Sequence, residues 1–136
     1  MQITQIPPAN PGNDKGKRTF QFQFPDGRQF TYCTRHKGEI VGSHFHKGDD
    51  PSKNPEFTLL LSGEIECRTI SIGGSVGITD VSAANGPVLI EIEPWLGHTF
   101  LCRTDCILGE YRKTWFDPTK SDCYPLSDMA KATQPA

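Results

Sequence analysis

Long hydrophobic runs are missing from this 136-residue chain. No apolar stretch approaches the ~20 residues a membrane-spanning helix needs, which excludes a helical membrane protein. An excess of one charge is missing as well. Lys and Arg number 14 against 16 Asp and Glu, a formal charge of −2, so the chain has no basic footprint for nucleic acid. Met1-Gln2-Ile3-Thr4 shows no basic segment followed by an apolar one, so no secretory leader is expected and the cytoplasm is the expected location. No C-x-x-C spacing occurs, and five cysteines cannot all pair within one chain. Reduced thiols are therefore expected rather than a disulfide scaffold. There is no G-x-G-x-x-G, so a dinucleotide-binding unit is not expected.

Turn residues, in contrast, are plentiful: 13 Gly and 11 Pro. Such a count suits a chain of short strands better than a helical one. The length fits one domain with a single core. Residues 1–19 read as an arm, because Pro7, Pro8, Pro11, Gly12 and Gly16 break any long element. Phe20-Gln21-Phe22-Gln23-Phe24 alternates with period two and predicts a strand with its phenylalanines on one face. Pro25-Asp26-Gly27 is a turn, and 30–34 a second strand. Further strands are expected at 39–45, 56–61, 64–70, 88–93, 99–103 and 107–111, with turns at Ser62-Gly63, Gly73-Gly74 and Asn85-Gly86. About nine strands at this spacing predict an all-β sandwich, jelly roll or barrel. The barrel would span 20–125, with a tail at 126–136 whose stretch 126–131 is the one expected short helix.

Three of the four histidines fall in a pattern. His44 and His46 are two apart in a predicted strand, so their imidazoles point the same way. Glu56 opens the apolar strand Glu56-Phe57-Thr58-Leu59-Leu60-Leu61, where a carboxylate must be exposed, paired or bound to a cation. Pro94-Trp95-Leu96-Gly97 makes a turn before His98, and Phe100 and Cys102 share the face of His98.

Gly42-Ser43-His44-Phe45-His46, Glu56 with six residues between it and Gly63, and Pro94…Gly97-His98 together resemble the two-part cupin motif. The likeness covers roughly 28–112. It implies a double-stranded β-helix (jelly-roll barrel) in which His44, His46, Glu56 and His98 hold one divalent metal ion: Zn, Fe, Mn or Ni. The chain departs from the family in the nine residues 47–55 between His46 and Glu56, where three or four are usual. Asp50 lies where the usual spacing puts a carboxylate and rivals Glu56. The charged residues of this insertion, Lys47, Asp49, Asp50 and Lys53, read as a solvated lid.

The first motif, and the tail Phe116-Asp117-Pro118…Asp122-Cys123-Tyr124, are similar to cupins that act on nucleotide-linked deoxysugars in polysaccharide biosynthesis, including the cupin half of capsular-sugar reductases. That resemblance implies epimerase- or isomerase-type chemistry on a 4-keto-6-deoxysugar, with the metal as Lewis acid and a base and an acid exchanging a proton. Tyr32, His36, Glu66, Tyr111 and Arg112 are the catalytic candidates. Arg68, Arg112 and Trp95 are the substrate-binding candidates, and Arg35 and Arg103 are further guanidinium candidates for phosphate. An Fe(II) dioxygenase and a non-catalytic small-molecule-binding cupin are the alternatives. The resemblance also implies a homodimer.

Overall fold

A computed structural model of the chain describes residues 1–131. Ten strands form two five-stranded antiparallel sheets. In chain order they are β1 (Thr19–Gln23), β2 (Gln29–Arg35), β3 (Ile40–Phe45), β4 (Glu56–Ser62), β5 (Glu64–Ile70), β6 (Val76–Ser82), β7 (Val88–Ile92), β8 (Gly97–Cys102), β9 (Cys106–Arg112) and β10 (Tyr124–Pro125). The first sheet runs β1-β2-β9-β4-β7 and the second β10-β3-β8-β5-β6. The only α-helix among the described residues is the one-turn Asp14–Lys17, and Leu126–Lys131 is a 3₁₀ helix. Residues 132–136 of the expected tail lie outside the described residues. Among the described residues no helix is long and apolar enough to cross a membrane.

The strands form where alternation and turn chemistry agree. Gly27, at φ +93°, closes the β1–β2 turn, and Gly63, at φ +94°, the β4–β5 turn. A Cβ at Gly63 would come within 2.4 Å of the Asp105 carbonyl, so that turn takes glycine for space as well as for φ. β6 is a strand the sequence reading did not expect. It is the edge of its sheet, mostly exposed, and broken in pattern by Gly77 and Asp80. Two-residue β10 was not expected either; it pairs with the end of β3 through Tyr124↔Phe45 and Pro125↔His44.

Between the sheets lies a core of Leu60, Ile65, Ile92, Phe100 and Leu108 with Cys33, Cys67, Cys102 and Cys106. Each large aliphatic or aromatic side chain there contributes about 1.5–3 kcal/mol by burial. All five thiols are free, as expected. Burial pushes Cys67 up to about 11 and Cys102 up to about 12, so both stay protonated.

On the first sheet the parity is unusual. Thr19, Thr31, Cys33, Glu110 and Leu108 face the interior, and alternation then turns Phe20, Phe22, Phe30, Tyr32 and Tyr111 outward. Phe30, Phe57, Leu59, Leu89 and Tyr111 line a shallow apolar groove of about 420 Å³ on this outer face.

Candidate metal centre

A local irregularity aims the first two histidines of the motif. Gly42 (φ +90°) and Ser43 (φ +72°) both lie in the left-handed region, and the β3–β8 register shifts between Gly42 and His44. This bulge re-aims His44, which then sits opposite His98 on β8. A Cβ at Gly42 would meet the His98 carbonyl at 3.2 Å, so glycine also permits the close approach of the two strands. The rings of His44 and His46 lie 4.7 Å apart between centroids, on the same side as expected, and those of His44 and His98 also 4.7 Å apart. Glu56 comes from β4 in the other sheet, so the cluster spans the gap between the sheets.

One ligand atom from each of His44, His46, Glu56 and His98 lies within 4.8 Å of the others. The hydrogen bonds behind the rings decide which atoms these are. The Nδ1 of His46 faces the Asp122 carbonyl, and that of His98 the Leu96 carbonyl at 3.0 Å. A carbonyl only accepts, so both Nδ1 atoms carry the proton and both Nε2 atoms turn inward. His46 Nε2 then lies 2.6 Å and His98 Nε2 3.5 Å from Glu56 Oε2. These three buried atoms have no hydrogen-bond partner among the described residues. The other Glu56 oxygen accepts from the Thr58 hydroxyl at 3.0 Å, which fixes the carboxylate.

Lone pairs converging in a dry site repel unless a cation or a shared proton lies between them. Burial, then the neighbouring imidazoles, lower His44 to about 4. The residues present thus offer three imidazoles and one carboxylate, and this set could hold a first-row divalent ion. Asp50 does not compete with Glu56: its carboxylate meets Arg112 at 2.6 Å.

Two adjoining cavities open onto the cluster. One, of about 150 Å³, lies deep in the barrel against Thr31, His44, Glu56, Thr58, His98 and Glu110. The other, of about 280 Å³, faces outward past Gln29, His44, His46, Lys53, Glu110 and Phe116.

This architecture has solved counterparts. It superposes on the capsular polysaccharide assembling protein CapF of Staphylococcus aureus with a TM-score of 0.66 and 22% identity, over 84% of this chain and 31% of that one. The match to the dTDP-4-dehydrorhamnose 3,5-epimerase of Sulfolobus tokodaii has a TM-score of 0.50 and 17% identity, over 71% of this chain and 57% of that one. Bacillus subtilis oxalate decarboxylase, a protein with Mn(II) centres, matches with a TM-score of 0.55 and 15% identity, over 85% of this chain and 29% of that one. The chain has the cupin fold. No protein-family model matches it, and no curated protein does. It spans under a third of CapF and a little over half of the epimerase.

Within this cupin barrel, few of the other expected site residues come near the cluster. Tyr32 packs on Phe20 and Tyr111 on Phe57, both outside the first sheet. His36 is exposed, 3.9 Å from Asp105 in the turn that follows β8. Ile65 and Cys67 face the core, so Glu66 and Arg68 point away from it. There Glu66 is held by both Arg68 and Arg103. Trp95 packs on Phe45, and its main-chain N–H donates to the His46 carbonyl at 2.7 Å, tying the second motif to the first. Arg112 does line the outer cavity, but it is buried, bonded to Asp50 and the Thr114 carbonyl, and stacked on Phe116. Arg35 borders the inner cavity, bonded to the Thr34 carbonyl and the Thr19 hydroxyl.

The insertion is not a solvated lid. Lys47 lies over the Tyr124 and Trp95 rings, Asp50 is paired, and only Asp49 of its four charged residues is exposed. Lys53 turns inward: it is 8% exposed, with Nζ 2.6 Å from Glu110 and 3.7 Å from Glu56. Sequence reasoning missed Lys53 and Glu110 as site residues. The available signal was the spacing of Lys53, three residues before Glu56.

Proposed function

We propose that this chain is a metal-dependent cupin of epimerase or isomerase type, acting on a nucleotide-linked 4-keto-6-deoxysugar. The observation that carries the reading is the buried three-histidine, one-glutamate cluster with the Lys53–Glu110 pair beside it, at the wall of one cavity. The structural likeness to a dTDP-4-dehydrorhamnose epimerase and to a capsular polysaccharide assembling protein supports the substrate class.

His44, His46, Glu56 and His98 would hold the ion. A bound divalent ion would supply Lewis-acid polarisation of the substrate carbonyl. The rest falls to the chain itself. Glu110 lines both cavities and is the carboxylate placed to take a proton from the carbon next to the carbonyl. Lys53 holds Glu110 in position and puts a positive charge where negative charge develops. Gln29 and Thr31 offer hydrogen bonds to sugar hydroxyls, and the apolar walls at Phe100 and Leu108 keep the inner cavity dry.

The test is exchange of solvent deuterium into dTDP-4-keto-6-deoxyglucose by metal-loaded protein, followed by proton NMR. Loss of the signal next to the ketone is expected. No exchange over a panel of nucleotide-linked 4-keto-6-deoxysugars overturns the reading.

A second reading rests on the cavity mouth. Around an outer hollow of about 460 Å³ the exposed Asp49 and Asp117 outnumber the exposed Lys120, while Asp50 and Asp122 are already bonded. This acidity favours a compact oxygen-rich substrate without phosphates, handled by the same metal through proton transfer or, with Fe(II), through oxygen chemistry. Oxygen uptake by the iron-loaded protein, with no binding of dTDP, would select it.

The homodimer belongs to the same proposal, with the outer aromatic face of the first sheet as its contact. Light scattering at micromolar concentration should give twice the chain mass, and a monomer overturns this part.

A further inference from the structure

Asp122 belongs to no strand, yet it is 5% exposed and bonded on two sides. Its main-chain carbonyl accepts the Nδ1 proton of His46. Its carboxylate accepts three backbone N–H groups at the start of the insertion: Lys47 at 2.8 Å on one oxygen, Gly48 at 2.9 Å and Asp50 at 3.1 Å on the other. Successive N–H groups converging on one anion make a nest, and here the anion belongs to the chain. Tyr124, two residues on, stacks on Phe45 at 5.4 Å and pairs with it as β10. The segment before β10 is therefore fastened at one end by a two-residue strand and at the other by Asp122.

We propose that Asp122 is a positioning residue. It pre-sets the ring of His46 for a metal ion and ties the 47–55 insertion, with Lys53 near its end, to the site. The proposal rests on the reading of His44, His46, Glu56 and His98 as metal ligands. A histidine ring can turn over and present either nitrogen. With Nδ1–H fixed on the Asp122 carbonyl, Nε2 faces Glu56 in every copy, and no part of the binding energy goes into selecting the tautomer. The carboxylate does this indirectly: it holds the 47–50 backbone against the 121–123 segment, and so holds its own carbonyl behind the ring.

The test uses the full chain and two readouts. Long-range proton–nitrogen NMR of the metal-free protein gives the His46 tautomer, and calorimetry gives the affinity for Zn²⁺ alone. Wild type should carry the proton on Nδ1. Asp122→Ala should mix the tautomers and weaken Zn²⁺ binding by about 10–100-fold, while thermal unfolding stays cooperative. Asp122→Asn retains one acceptor oxygen and should fall between the two. If the alanine variant does not fold, the asparagine variant carries the same comparison. A purely structural role would lower the melting temperature and leave the tautomer in place. An unchanged tautomer, with affinity within about twofold of wild type, overturns the proposal. If the wild type binds no Zn²⁺, the ligand reading fails, and the tautomer measurement still decides the role of Asp122.

Discussion

His46 Nε2 and Glu56 Oε2 face each other at 2.6 Å across the gap between two sheets. Among the described residues neither atom has a hydrogen-bond partner, and the ring proton that could bond them is on the far side of the imidazole. Removing the carboxylate charge should therefore separate metal binding from folding. Glu56→Gln is expected to hold less than about a tenth of an ion per chain after metal supplementation and desalting. Its metal-free form should melt no lower than metal-free wild type, because a buried carboxylate facing imidazole lone pairs costs more than an amide of the same shape. Elemental analysis and thermal melts check the two halves.

A cluster of this kind links metal to stability. An ion bound at about 100 times its Kd adds about 2.7 kcal/mol, which for a chain of this size is roughly a 10 °C rise in melting temperature. A chelator should reverse the rise. His98→Ala should abolish it while keeping the fold, since Leu60, Ile65, Phe100 and Leu108 form the core without His98.

Lys53 should matter to chemistry more than to metal. Its ammonium bonds Glu110 at 2.6 Å but stands 3.7 Å from Glu56. Lys53→Met should keep a full complement of metal and lower the deuterium-exchange rate by about 10²–10⁴, the range for loss of a positioned proton-transfer partner. Metal loss in this variant would instead place Lys53 among the groups that build the ion site.

Strand alternation made the histidine–glutamate cluster legible in the sequence, and long-range packing hid its partners. The pair His44 and His46 follows from a period of two, and Glu56 and His98 stand at the starts of strands that turn residues mark off. Lys53 meets Glu110 across 57 positions, and Asp122 meets His46 across 76, contacts that no local pattern announces. The face of Phe20, Phe22 and Phe24 was legible, but not its direction. Aromatic residues normally turn inward, and here Thr19, Thr31 and Glu110 take the interior because it holds a polar site. Tyr32 and Tyr111, candidates by their chemistry, lie on the same outward face. β6 was illegible because an exposed edge strand has no apolar face to repeat.

The pair Asp50–Arg112 sets an acid limit on the loop. Burial would raise the Asp50 carboxyl pKa, but the Arg112 guanidinium and the Ser52 N–H, with Lys53 nearby, more than offset it, so the folded value lies below the ordinary one. A carboxylate of lower pKa in the folded state stabilises above its unfolded value, and loses that contribution as pH falls through the folded value. The unfolded value is about 3.9, so the contribution should be complete at neutral pH and fade below about pH 4. Asp50→Asn removes the charge but keeps the shape and leaves the Arg112 guanidinium buried without its counter-ion. At pH 7 the variant should be less stable by about 3 kcal/mol in urea unfolding, a magnitude typical of breaking a buried pair. As pH falls from about 4 through the lower folded value the two proteins should converge, because wild type then loses the same charge. A gap that stays constant from pH 7 to pH 3 would mean that Asp50 acts through its loop hydrogen bonds and not through its charge.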